Sequence, residues 1–201
     1  MSGTADKLID LGERALVVLL AIPFLWSFAL VLPTHPNLLL IAASEMLAVV
    51  LILIRKSGKS AVAPMPVLVA FAGSALPLLV RPGGAQLAPP LVSSMLLGVG
   101  LTFSIASKLY LNRSFGMIAA NRGVKIGGPY RLVRHPMYLG YFVNQIGFLI
   151  ASFGVVNLLI YLAAWTFQIL RIREEEVVLC KDEAYRHFAQ RVGSRLVPGV
   201  Y

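Results

Sequence analysis

Long apolar runs separated by short polar breaks fill the first half of the chain, and the second half alternates basic stretches with two shorter apolar segments. The pattern predicts helices at Ala15–Leu32, Asn37–Ile54, Pro64–Val80 and Leu91–Ser107, followed by Met137–Ser152 and Val155–Leu170. Several of these approach or exceed the roughly 17–20 residues that carry a helix across about 30 Å of hydrocarbon, and none shows the alternation of a membrane barrel. Pro33-Thr34-His35-Pro36 and Phe153-Gly154 are tight turns, whereas Arg55–Ala63 and Arg81–Pro90 are modest polar loops. Pro23, Pro64, Pro66 and Pro77 lie in or at the edges of the runs, where neighbouring helices can satisfy freed carbonyls.

Composition raises this pattern to a class. With 201 residues, 58% hydrophobic and 13% charged, and a mean hydropathy of +0.78, the chain is too apolar for an ordinary soluble domain. The expected fold is all-α: a polytopic membrane bundle of four spans, a C-terminal helical hairpin at 137–170 and a cytoplasmic C-terminal helical segment. Residues 1–107 form the N-terminal transmembrane helices, and residues 108–201 the region that carries the chemistry.

Charge supplies the orientation. The formal net charge of +9 would indicate nucleic acid in a soluble protein, but an N-terminus inside puts Lys7, Arg14, Arg55, Lys56, Lys59, the basic residues from Lys108 to Arg134 and everything from Arg171 onward on one side. Only Arg81 falls outside, the asymmetry of a multi-pass protein with both termini and the active site facing the cytoplasm. Excess basic charge also suits an anionic leaflet. The first apolar run follows Asp6, Asp10 and Glu13 rather than a basic segment and is long enough to span, so it reads as a retained helix. Cys180, the single cysteine, excludes an internal disulfide and reads as buried filler. His35, His135 and His187 make no metal spacing, and Gly98 and Gly100 lie inside an apolar run rather than between a strand and a helix, so no metal site and no soluble dinucleotide fingerprint is expected.

Chemistry concentrates in two stretches flanking the hairpin. Gly127-Gly128-Pro129 supplies a turn and Pro136 opens a helix, placing His135 at a helix start where unpaired amides and the dipole attract an anion beside Arg134. A carboxylate or phosphate is one occupant; lipid phosphate is the other. The second arm continues through Arg171-Ile172-Arg173-Glu174-Glu175-Glu176 without Gly or Pro, so its carboxylates emerge close to Arg134, His135 and Tyr138. Such a site fits a ligand bearing both charges, although Arg171 with Glu175 and Arg173 with Glu176 have the spacing of ordinary helix ion pairs. Tyr110–Met117 is an interfacial anchor or a wall of the site. Glu45 is the acidic residue inside a span, protonated or paired in the bundle, and Asn144 and Gln145 are packing glue across helices.

Gly128-Pro129-Tyr130-Arg131, Arg134-His135-Pro136-Met137-Tyr138-Leu139-Gly140, Glu175-Glu176-Val177-Val178-Leu179, Tyr185 and Arg195-Leu196-Val197-Pro198-Gly199 together resemble the isoprenylcysteine carboxyl methyltransferase family, related to phospholipid methyltransferases. The resemblance covers roughly Asn112–Tyr201. It implies S-adenosylmethionine as methyl donor and a lipophilic acceptor arriving from the bilayer: a prenylated substrate, a small isoprenoid acid or a phospholipid amine. It makes His135, Tyr138, Glu175 and Glu176 the cofactor contacts, with the Arg134-His135 helix start facing the donor's carboxylate, Tyr130, Tyr138 or nearby apolar residues covering the adenine, and Gly140 in the same motif. Arg173, Arg191 or Arg195 would orient a carboxylate acceptor, and Glu176 would take the proton of an amine. No obligate protein partner and no nucleic acid is expected. Two further readings stay open: a membrane reductase related to sterol reductases using NADPH, and a non-catalytic lipid-binding protein whose basic loops hold anionic headgroups.

Overall fold

Proline opens helices at Pro64, Pro90 and Pro136 in the computed structural model, which describes residues 10–15, 17–19, 21–22, 26, 39–56, 59–60, 64–81, 83–116 and 120–201. A proline in the first turn loses no hydrogen bond, because that N–H has no helical acceptor, and its fixed φ is already helical. The helices are α1 (Leu39–Ile54), α2 (Pro64–Ala75), α3 (Pro90–Leu111), α4 (Pro136–Ala151), α5 (Val155–Leu179) and α6 (Glu183–Arg191). A two-residue antiparallel pair, β1 (Lys59–Ser60) with β2 (Ala120–Asn121), ties the loop after α1 to the loop after α3.

The chain is mostly helical, as expected, and among the described residues two stretches are long and apolar enough to cross a membrane: Pro90–Ser114 and Val155–Leu179, each of 25 residues. Leu91, Met95 and Val99 on the first, and Val155, Val156 and Leu159 on the second, expose large apolar side chains, a surface that lipid satisfies better than water. The expected span at 15–32 falls largely outside the described residues, as does the turn at 33–36; residues 10–15, 17–19 and 21–22 are helical. The third expected helix changes character at Leu76, where Pro77 begins a 3₁₀ turn to Leu79. Both α3 and α5 run further than their apolar stretches because Lys108 and the Arg171–Glu176 segment are good helix formers that the surrounding protein accommodates. Lys108 is fully buried, its ammonium donating to Ser44 Oγ at 2.9 Å and the Ser44 carbonyl at 3.2 Å.

α3 and α4 approach closely enough for backbone to meet backbone, for a sequence reason. Ser93, Gly100, Ser104 and Ser107 make a buried stripe of small residues on α3, and their hydroxyls bond carbonyls of their own helix, leaving a smooth face. Gly140 and Gly147 of α4 lie against it, and a Cβ added at Gly140 would stand 2.7 Å from the Gly100 carbonyl oxygen. α4 and α5, by contrast, are held apart by rings: Phe142 meets Trp165 with centroids 4.8 Å apart, Phe148 meets Tyr161 at 5.9 Å, and Trp165 donates to Gln145 Oε1 at 2.6 Å. Asn144 donates to the Leu97 carbonyl at 3.1 Å, so both amides act as interhelical glue. The side chain of Glu45 lies outside the described residues.

The two ends of the bundle differ. At one end Ala85 bridges Phe153, Ser152 Oγ accepts from the amides of Gly83 and Gly84, and Asn157 exchanges two bonds with the Arg81 backbone, closing the turn between α4 and α5. All the site chemistry lies at the other end. There Arg55, whose side chain is fully buried, pairs with Asp10 and Glu13 at 2.5 Å each and fastens the helical residues 10–15 to the end of α1. Cys180 corrects the expectation of buried filler: it is exposed, because α5 ends there and the chain turns away through Lys181 and Asp182. Asp182 caps α6 by accepting from the Ala184 amide at 2.9 Å.

Candidate active site

Glu176 collects partners from three separate segments. Arg134 lies against it as an ion pair at 2.9 Å, His135 Nε2 is 3.2 Å from Oε1, Tyr185 of α6 donates to Oε1 at 3.3 Å, and Arg195 Nε donates to Oε2 at 2.6 Å. Glu175 gathers another set: Tyr138 donates its hydroxyl to Oε1, His135 Nδ1 stands 3.6 Å from Oε2, and Arg171 is 3.4 Å away. Two stretches some forty residues apart in sequence thus meet within hydrogen-bond distance, as the hairpin requires.

His135 sits between the carboxylates, one ring nitrogen toward each, so it can donate to both only as imidazolium. Burial by itself would depress its pKa, but hydrogen bonds and charge from Glu175 and Glu176 together outweigh that and hold it above 6.5. Since the folded value is raised, the stabilisation is fully present below pH 6.5 and is lost as pH climbs through the folded value. Thermal unfolding followed from pH 6 upward should show a falling midpoint, and His135→Asn should remove that dependence; an unchanged slope in the variant would refute the imidazolium.

Beside them lies an open cleft of about 740 Å³, counted out into solvent at its mouth. Leu111, Ser114 and Gly116 line it, so the segment after α3 serves as a wall, while Phe115 packs into the core with Met137, Tyr138 and Ile172. Tyr130, Arg134, His135, Tyr138 and Glu175 also line it, joined by Arg122, Lys125, Tyr185 and Phe188. Tyr130 is buried against Tyr185 and Phe188, and burial followed by the charge of Glu175 holds its hydroxyl protonated.

Other expected residues lie elsewhere. Glu176 is behind the wall, holding the groups that face the cleft. Gly140 is at the α3–α4 crossing and does not line the cleft. Arg173 is exposed, and Arg191 lines a separate groove with Tyr110, Ile126, Arg131 and Val192. Arg195 is engaged by Glu176 and stacked 5.2 Å over Tyr201. The closing segment crosses just before the helix start as a strap, the Arg134 amide donating to the Ser194 carbonyl and the His135 amide to the Arg195 carbonyl.

Sequence reasoning did not single out Arg122, and it gave Tyr185 only as part of the family motif and Arg171 only as a helix ion-pair partner of Glu175. Arg171 is buried, reaching Ser74 of α2 at 3.3 Å and the Gly116 carbonyl at 3.4 Å with its guanidinium 5.3 Å over the Tyr138 ring. Its spacing from Glu175 was visible; its burial was not.

No curated protein and no solved structure matches the chain. Residues 102–181, which hold the Gly-Pro-Tyr-Arg turn, the Arg-His-Pro helix start and the carboxylates of Glu175 and Glu176, match the isoprenylcysteine carboxyl methyltransferase (ICMT) family, the family that the motifs of this chain resemble.

Proposed function

We propose that the chain is an S-adenosylmethionine-dependent methyltransferase acting on a lipophilic acceptor at the membrane surface. The observation that carries the reading is the convergence of Arg134, His135 and Tyr138 with Glu175 and Glu176 at one end of an apolar bundle, within the stretch that matches the methyltransferase family. The residues present suit such a donor: buried aromatic rings at Tyr130 and Tyr138 for a purine, a carboxylate at Glu175 for a ribose or cationic centre, and cations at Arg122 and Lys125 for a carboxylate. When bound, the donor supplies a methyl group on a positively charged sulfur.

The chain's own task is then arrangement. An ionised carboxylate acceptor needs no proton removed, so holding it in line is the main contribution. An amine acceptor must lose a proton, and Glu175, the carboxylate that borders the cleft, is better placed than Glu176 to receive it. The acceptor is of the prenylcysteine, isoprenoid acid or phospholipid amine type and reaches the cleft from lipid beside α3 and α5. In this reading residues 1–107 are the transmembrane support for the catalytic region 108–201, the bundle has four spans plus the hairpin, and both termini and the cleft face the cytoplasm, where the basic loops meet anionic lipid.

Calorimetry on the purified protein should show binding of S-adenosylmethionine and of its demethylated product, and no binding of NADPH. With membranes and methyl-labelled donor, the label should enter a lipophilic product. Failure of the donor to bind in both detergent and lipid would remove the reading, and binding of NADPH alone would replace it with the reductase.

A further inference from the structure

The end of the bundle that carries the cleft has a second groove, lined by Tyr110, Ile126, Arg131, Arg191 and Val192. Its two arginines come from different elements: Arg131 closes the 3₁₀ turn Gly128–Arg131, and Arg191 is the last residue of α6. Both are exposed, and among the described residues neither side chain makes an ion pair or a hydrogen bond. No acidic side chain among the described residues lines the groove. The acid of α6, Glu183, is at the far end of the helix, about 12 Å from Arg191 along its axis, and faces His187.

Tyr110 fixes where the groove stands relative to the apolar bundle. It lies in the last turn of α3, within a stretch long and apolar enough to cross a membrane. Tyrosine at the end of such a helix sits at headgroup level, its ring toward hydrocarbon and its hydroxyl toward water. The ring packs over the Gly127-Gly128 turn that leads to Arg131: a Cβ at Gly128 would stand 2.8 Å from a ring carbon, so glycine lets this loop lie against the end of α3. Leu109, Ile126 and Leu132, neighbours of these residues in the chain or the groove, expose large apolar side chains.

Two cations without an acid, at the depth of lipid phosphates and beside exposed apolar side chains, complement a ligand that carries an anionic group and hydrocarbon together. Free phosphate would leave Ile126 and Leu132 in water, and an acidic protein segment would have to displace lipid from the end of α3. We propose that this groove seats the phosphate of an anionic phospholipid on Arg131 and Arg191, with Ile126 and Val192 against the lipid's apolar part, as a tether separate from the methyl acceptor. Phe188 is a wall of both the groove and the cleft, so a lipid held here would fix the height of the cleft over the membrane. The seat is independent of which cofactor the cleft takes.

Native mass spectrometry of the full chain in neutral detergent counts the lipids it retains. Titrated with phosphatidylglycerol, the protein should hold one molecule saturably and about tenfold or more tightly than phosphatidylcholine of the same acyl chains, since each basic side chain at a lipid surface contributes roughly fivefold. Arg131→Gln combined with Arg191→Gln should remove most of that preference, and Ile126→Glu, which puts an acid into the groove, should do so by a different change. Lys56→Gln combined with Lys181→Gln takes away two exposed cations outside the groove and should leave the preference intact. Equal retention of the two lipids by the unaltered protein overturns the seat, as does equal loss in the two double variants, which would mean a diffuse basic surface. Displacement of phosphatidylglycerol by inorganic phosphate would make the groove a free-anion site, and retention of polyglutamate without phosphatidylglycerol would give it to an acidic protein; either result overturns the lipid.

Discussion

Glu176→Ala is expected to abolish donor binding and to cost about 3–5 kcal/mol of stability, the range for removing one partner of a buried charge cluster. The carboxylate is nearly buried and is shared by Arg134, His135, Tyr185 and Arg195. Without it, Arg134 and His135 would keep their charge or lose their position, and each is next to the helix start that carries Tyr138 into the cleft. Glu176→Gln keeps the shape and an acceptor oxygen while removing the charge, so its cost should lie between those of the alanine variant and the parent. Arg195→Ala is the contrasting control: its side chain is 40% exposed, and a pair open to solvent contributes only about 0–1 kcal/mol. Thermal unfolding in detergent with parallel calorimetry separates the effects. A Glu176→Ala protein that unfolds at the parental midpoint and still binds S-adenosylmethionine would show that the cluster is dispensable.

Much of this architecture was legible in the chain because local rules governed it. Prolines marked the starts of α2, α3 and α4 within a residue of the expected positions, and the absence of Gly and Pro after Leu170 foretold that α5 would carry its acids beyond the apolar stretch. A hairpin with two charged ends then forces those ends together, which is why the meeting of His135 with Glu176 could be anticipated from spacing alone. What escaped depends on contacts between distant segments. The closing strap has no periodicity to read, yet its Ser194 and Arg195 carbonyls take up the amides of Arg134 and His135 and fix the approach to the helix start. Arg122 acquires its place from Gly116, β1 and Asp182, three elements that share no local pattern with it. Exposure follows the same division. Cys180 looked like a small apolar filler, but the end of α5 turns it outward, and Arg173 shares a helix with the buried Glu176 yet points to a different face.

Gly140 illustrates how a motif residue can serve packing rather than a ligand, and it carries the second large prediction. Gly140→Ala should lower stability by on the order of 2–3 kcal/mol, and Gly140→Leu should prevent accumulation of folded protein. The new Cβ would meet the Gly100 carbonyl oxygen and the Ser104 amide nitrogen, both at 2.7 Å, and these are backbone atoms of α3 that cannot rotate aside. The helices would have to separate, and α4 begins at the residue next to His135, so donor affinity should fall with stability. Gly98 supplies the internal standard. It lies on the same helix as Gly100, but a Cβ there meets nothing within 4 Å, so Gly98→Ala should be neutral or stabilising by about 0.5–1 kcal/mol from helix propensity alone. Thermal midpoints of the two alanine variants therefore distinguish a loss of backbone fit at the crossing from a general intolerance of α3 and α4 to larger residues. Equal midpoints for Gly140→Ala and Gly98→Ala would mean that close approach of α3 to α4 does not hold the cleft together, and that Gly140 owes its place in the motif to another cause.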